Sequence, residues 1–239
     1  MDKTDIRYQA YIDILKEELI PAMGCTEPIA LAYAAATARE LLGAMPERVE
    51  VSASGSIIKN VKSVIVPNTG HLKGIPAAAA AGIVAGDAKK QLEVISCVTP
   101  EQETQIREFL EQVPITVEHI DHHITFDIFV TLYRGEESSK VRIANYHTNL
   151  VYKEKNGQIL LDLPVEEENE EGLTDRSLLD MKGIWDFINT ADVSDIKETL
   201  DRQAQFNMKI AQEGMNGDYG ANIGKVLLDS CGQDVQTRA

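Results

Sequence analysis

The chain has 239 residues, a formal net charge of −15, 44 % hydrophobic residues and only 5 % aromatic ones. That length can bury a sizeable core, while the acidic balance opposes nucleic-acid phosphates and anionic membrane surfaces as partners. No apolar run reaches the roughly 18–20 residues needed to span a bilayer, and the polar start MDKTDIRYQA is no signal peptide, so a cytoplasmic location is expected.

Tyr8, Tyr11, Ile12, Leu15 and Leu19 recur at helical spacing and predict an amphipathic helix ending near Pro21. Thr26-Glu27-Pro28 reads as a second helix start, with Thr26 as N-cap, leading into the alanine-rich helix Ile29 to Leu42. The period then drops to two: Val49, Val51 and Ala53 alternate with polar residues as a strand. Ser54-Gly55-Ser56 is a turn, Ile57 to Ile65 is helical, and Pro67-Asn68-Thr69-Gly70 closes that element. Ile75 to Ala85 is a small-residue helix, Leu92 to Val98 a strand, and Pro100 to Gln112 a helix capped by Thr99. Ile115 to Ile120 is a strand. Phe126 to Tyr133 and Lys140 to Tyr146 form a hairpin about Arg134 to Glu137, with further strands at Leu150 to Tyr152 and, more weakly, Ile159 to Leu163. Glu166 to Glu171 holds five glutamates in six positions and reads as a solvated linker. Helices follow at Leu178 to Ile188, from Val193 towards Glu213 with Ile196, Leu200 and Ala204 on one stripe, and at Ala221 to Leu228.

The expected fold class is therefore α+β, a sandwich-like α/β block flanked by N- and C-terminal helices that pack together. The corresponding divisions are 1–45 (N-terminal helices), 46–165 (α/β domain) and 166–239 (C-terminal helices).

Three cysteines, Cys25, Cys97 and Cys231, form an odd, sparse set that argues against a disulfide framework. Cys25 precedes a helix N-terminus, whose partial positive charge favours thiolate, the form that ligates metals and attacks carbon; the alternative is a small side chain at a tight joint. Cys97 lies in an apolar run and reads as a buried thiol. Ser54-Gly55-Ser56 and Pro67-Asn68-Thr69-Gly70 offer polar turns to an anion or serve as punctuation. Asp121-His122-His123 is a poor metal site, because neighbours on a strand diverge. His147-Thr148-Asn149 places an imidazole beside two hydrogen-bonding side chains at a strand end. The glycines of EGMNGDYGANIGK do not form a dinucleotide fingerprint.

MGCTEP, SGSIIKNVKSVIVPNTG, GIPAAAAAG, NYHTN and EGMNGDYGANIGK, in this order from about Leu19 to Lys225, resemble the L-cysteine desulfidase family, which is related to the iron–sulfur L-serine dehydratase alpha chain. The resemblance implies a PLP-independent lyase converting L-cysteine to pyruvate, ammonia and sulfide with a [4Fe–4S] cluster held by three cysteines. It makes Cys25 a cluster ligand. It also makes Thr26, Glu27, Lys59, Asn60, Asn68, Thr69, His147 and Asn149 candidates for substrate contact, and leaves the general base unassigned. In the family the other two cluster cysteines lie further along than Ala239, and Cys97 and Cys231 match no cluster motif, so the cluster is not expected on this chain alone. The alternatives are an L-serine dehydratase-like ammonia-lyase, or a non-catalytic module that binds a small molecule or a partner. The expected partners are a small amino-acid substrate and either a second copy or a C-terminal half. The apolar surface expected to drive self-association is that of Ile29 to Leu42.

Overall fold

A computed structural model describes residues 1–165 and 174–231. The expected glutamate-rich linker lies outside the described residues. The chain has an α+β fold with helices at both ends, divided into two units: Met1–Ile20 with Glu170–Ala239, and Pro21–Asn169.

In the second unit, alternation along β1 (Arg48–Ser54) decides how the sheet faces. Val49, Val51 and Ala53 are buried, while Glu50 and Ser52 point to the other side and stay partly exposed. Five more strands complete the sheet: β2 (Ile115–Ile120), β3 (Asp127–Arg134), β4 (Glu137–Ala144), β5 (Leu150–Lys155) and β6 (Gln158–Asp162). Their order is β2-β1-β3-β4-β5-β6. Only β1 and β2 run parallel, in the register Val49↔Ile115; the remaining neighbours are antiparallel, as in Val51↔Val130 and Val130↔Val141. Gly135 at φ +54° turns β3 into β4 where the hairpin is expected. Asn156 and Gly157, both at positive φ, join β5 to β6, the backbone that an Asn-Gly turn favours.

Helices cover one face of this sheet. α2 (Thr26–Leu42) and α4 (Gly74–Ala85) pack against each other, and α2 also lies on β3 and β4. α3 (Gly55–Val61) and α5 (Pro100–Gln112) complete the crossover from β1 to β2. α5 begins with the expected Thr99 cap, a full capping box with Gln102. α2 is buried all round from Pro28 to Ala38 because its alanines let both the sheet and α4 approach. A Cβ added to Gly82 would overlap the Ala32 carbonyl oxygen, and one on Gly86 would stand 2.7 Å from Ala36 Cβ.

Three expectations change here. First, α2 belongs with the sheet, so the unit boundary falls after Ile20 and not near residue 45. Its Ile29 to Leu42 surface is the best-buried helix face of this unit and is not an exposed association surface. Second, Leu92 to Val98 is no strand and joins no edge of the sheet. The segment is instead a 3-10 helix, Ala88–Glu93, capped by the Asp87 carboxylate and followed by tight turns from Val94 N–H to Gln91 O and from Ser96 N–H to Glu93 O. Third, the helix after β1 stops at Val61, and Ile65 instead bridges to Lys73.

The first unit joins α1 (Ile6–Glu18) to α6 (Met181–Thr190), α7 (Val193–Asn216) and α8 (Ile223–Cys231). Tyr8 and Tyr11 of α1 meet Phe187 of α6 edge-on at 5.4 Å each, with Ile12 beside them. Their hydroxyls are used: Tyr8 donates to Asp195 (2.8 Å) and Tyr11 to the Leu178 carbonyl (2.8 Å). Glu17 accepts from the backbone and hydroxyl of Thr174 and pairs with Arg176. Asp180 and Asp192 cap α6 and α7.

The α2–α4 contact yields a direct expectation. Gly82→Ala places a methyl against backbone that cannot move alone, so it lowers stability by more than about 2 kcal/mol. Urea unfolding followed by circular dichroism measures this; a loss below about 0.5 kcal/mol, the range of ordinary surface substitutions, would contradict the close approach.

A candidate functional site at the start of α2

Gly24 holds φ +122°, a conformation that L side chains rarely adopt, and faces Pro67, so the turn before α2 sits against the Pro67-Asn68-Thr69-Gly70 turn. This brings two of the sequence motifs together. Cys25, not Thr26, is the N-cap of α2, and it forms no side-chain cap bond. Its thiol instead donates to Glu27 Oε2 (3.0 Å), and Asn60 Nδ2, at the end of α3, donates to Glu27 Oε1 (3.3 Å). His147, in the bend between β4 and β5, lies within electrostatic reach of Glu27, and the Phe126 ring stands edge-on to its imidazole at 4.5 Å. Cys25, Glu27, Asn60 and His147 thus form one cluster from three parts of the chain.

Its electrostatics run against the expectation of a thiolate. Burial and the Glu27 carboxylate push the Cys25 thiol above its usual value, and the backbone N–H of Glu27 only partly offsets them. A full negative charge 3.0 Å away outweighs the partial positive charge of a helix terminus. Glu27 is held below the usual carboxylate range, chiefly by the Cys25 hydrogen bond and then by its own backbone N–H and Asn60. Burial lowers the His147 value, and Glu27 opposes that shift. The arrangement at neutral pH is a protonated thiol, a carboxylate and a neutral imidazole, a set able to give and take protons.

The other sequence candidates are placed differently. Thr69 is fully buried and donates to the Val66 carbonyl (2.7 Å). Asn68, at φ +55°, donates to the Ile95 carbonyl (3.1 Å), and Asn149 to the Ala144 carbonyl (3.0 Å). These three side chains shape the turns that carry the site. Thr26 is half-buried in the first turn of α2, and Lys59 is exposed on α3.

The three cysteines sit in different settings. Cys97 is exposed, not buried, because its segment is a surface turn; Lys90 Nζ donates to its sulfur (2.9 Å), which with Ser96 holds the thiol below its usual value. Cys231 lies on α8. Among the described residues no three His, Cys, Asp or Glu side chains converge on a point. A [4Fe–4S] cluster needs three thiolates in one place, so the described residues by themselves do not fit it.

One buried network escaped the sequence reading. Asp127, fully buried, receives two bonds from Arg142 (Nε 2.8 Å, Nη2 2.7 Å) and one from His122 Nε2 (2.6 Å). The Ile124 backbone N–H donates to His122 Nδ1 (3.2 Å), so Nε2 carries the proton and both imidazole nitrogens are occupied. The pairing depends on the β3–β4 register and has no local sequence signal. The network fixes the start of β3, and thereby Phe126 next to it.

The fold and the site define an α+β protein with a Cys–Glu–Asn–His cluster at a helix start. Over its whole length the chain is 50 % identical to a UPF0597 protein of Desulfitobacterium hafniense, covering 56 % of that protein. It is 43 % identical over 232 residues to one of Lachnoclostridium phytofermentans, covering 55 % of it, and 39 % identical over 229 residues to one of Treponema denticola, covering 53 %. The chain spans about half the length of the curated relatives it matches. No protein-family model and no solved structure matches the chain. These relatives carry the name UPF0597 and not that of an L-cysteine desulfidase, which corrects the family expected from the motifs. The names of these relatives assign no chemistry.

Two measurements probe these electrostatics. Iodoacetamide at neutral pH should label Cys97 before Cys25, and Lys90→Met should slow Cys97 labelling by about threefold or more, read by mass spectrometry. Faster labelling of Cys25 would contradict its protonated state. The His147 imidazole should titrate below about 6.5 by NMR, and Glu27→Gln should lower the midpoint further. Because the folded value lies below the unfolded one, this group contributes stability above the unfolded value, which is lost as pH falls through the folded value. A midpoint above 6.5 would refute the burial argument.

Proposed function

We propose that this chain supplies the substrate-binding and proton-transfer side chains of a PLP-independent lyase acting on a small α-amino acid with a β leaving group, L-cysteine or L-serine. The observation that carries the reading is the Cys25–Glu27–Asn60 hydrogen-bonded string with His147 beside it. In this reading the Glu27 carboxylate receives the substrate ammonium, which the Asn60 bond orients. The neutral imidazole of His147 takes the α-proton, and the Cys25 thiol is a proton source for the departing sulfide or hydroxide. Loss of the α-proton and the leaving group gives an aminoacrylate, which water converts to pyruvate and ammonia. The remaining catalytic groups, a cluster included, belong in this reading to the part of the relatives' polypeptide outside the match. No helix among the described residues is long and apolar enough to cross a membrane. The acidic balance supports a site of action in the cytoplasm.

A second reading, a non-catalytic small-molecule module, draws on the sheet face opposite α2. There a hollow of about 420 Å³ is lined by Glu50, Ser52, Phe129, Thr131, Tyr133 and Lys140, among others.

Titrating L-cysteine and L-serine into the chain distinguishes the two readings. The lyase reading expects the His147 resonance to move, and Glu27→Gln to weaken binding by about tenfold or more. It also expects pyruvate release by the whole-length Desulfitobacterium hafniense relative under anaerobic conditions, reduced at least about 100-fold by substitution at the position aligned with His147. Binding that shifts Phe129 and Lys140 but leaves His147 unmoved favours the second reading. Absence of both binding and pyruvate release refutes the lyase.

A further inference from the structure

The hollow on the sheet face opposite α2 is lined only by residues of the unit Pro21–Asn169, so its shape is set inside that unit. Strand alternation builds it. One rung of the sheet runs Glu50, Thr131, Lys140, Glu154 across β1, β3, β4 and β5, and the next sets Ser52 beside Phe129. Opposite charges directly across two strands attract, yet Lys140 and Glu154 do not pair. Lys140 Nζ stands 5.1 Å from the centre of the Phe129 ring, and Glu154 accepts from the Tyr152 hydroxyl. Among the described residues neither forms an ion pair. Glu50, by contrast, is engaged by Arg48 and by the Tyr133 hydroxyl (2.8 Å). The hollow thus holds one cation and one carboxylate without ionic partners, on adjacent strands, beside the apolar side chains of Phe129 and Ile120.

We infer that this hollow binds a small zwitterion, an α-amino acid with a short side chain. Its carboxylate meets the Lys140 ammonium and its ammonium meets the Glu154 carboxylate, antiparallel to the protein's own two charges. Directly opposed residues on adjacent strands stand about 5 Å apart at Cβ, a separation that the two charged groups of one α-amino acid bridge. The Ser52 and Thr131 hydroxyls offer further hydrogen bonds, and the ligand's side chain packs on Phe129 and Ile120. A volume of about 420 Å³ is ample for such a molecule. Charge complementarity disfavours the other classes. A phosphate or simple anion would face the Glu50 and Glu154 carboxylates. A simple cation would meet Lys140, and the Phe129 ring is already faced by Lys140 and by the Arg142 guanidinium (4.7 Å). The inference rests on the hollow of the second reading and not on the lyase at the start of α2.

A nuclear magnetic resonance titration with L-alanine tests it. Alanine has no β leaving group, so a lyase does not consume it, and propionate and ethylamine keep its carbon frame with one charge each removed. The backbone amides of Phe129, Lys140 and Glu154 should shift saturably with alanine, at concentrations at least about tenfold below those at which propionate or ethylamine moves them. Lys140→Met and Glu154→Gln should each weaken alanine binding by about tenfold or more. Both residues are partly exposed, and retained amide dispersion reports that each variant is folded. Equal potency of propionate and alanine makes the hollow an anion site, which overturns the zwitterion and leaves the second reading standing. No shift at these amides with any of the three compounds overturns the inference outright. Movement confined to the surroundings of His147 assigns the amino acid to the α2 site, which supports the lyase and also overturns the inference.

Discussion

The second unit depends on how closely α2 and α4 approach. Gly82 sits over the Ala32 carbonyl and Gly86 over Ala36, so two helix backbones lie together with almost no side chain between them. Such packing leaves α2 no freedom to shift, since its other side is held by β3 and β4. Ser139 of β4 even donates to the Ala38 carbonyl inside the contact (2.8 Å). The start of α2 therefore projects from a fixed base. Cys25 and Glu27 occupy that start, and this rigidity, more than any loop contact, positions them.

A helix N-terminus and a carboxylate compete for the same thiol. The partial charge of the terminus falls off within a turn and is shared among several N–H groups, whereas Glu27 brings a full charge to hydrogen-bonding distance. Burial and the carboxylate together outweigh the terminus, and Cys25 keeps its proton. Cys97 has the opposite neighbour, Lys90, and shifts the other way. The two thiols are thus pushed in opposite directions, Cys25 up by burial and a neighbouring carboxylate, Cys97 down by a neighbouring ammonium.

Much of the fold was legible. The Val49-Val51-Ala53 alternation, the β3–β4 hairpin, the Thr99 cap and the alanine-rich helices all appear where local patterns put them. Asn156-Gly157 was an equally strong hairpin signal and accounts for the weak strand at β6. The failures share a cause. Leu92 to Val98 has the composition of a strand, but Leu92, Val94 and Ile95 enter the core from a 3-10 helix and tight turns instead of pairing with the sheet. Asn68, Thr69 and Asn149 look like ligand-binding side chains, yet each donates to a backbone carbonyl, that of Ile95, Val66 and Ala144 respectively.

The sequence by itself determined an acidic chain of mixed α and β elements, their order, and the motifs that carry Cys25, Glu27, Asn60 and His147. Helical and strand periods are local, and so are caps and turns, which is why those features could be read along the chain. Tertiary structure alone decided which unit owns α2, that Cys97 is exposed, and that Glu27 meets Asn60 as well as Cys25 with His147 nearby. Those outcomes depend on sheet register, on helix approach distances and on charges brought together from distant parts of the chain. None of these quantities has a local signature in the order of residues.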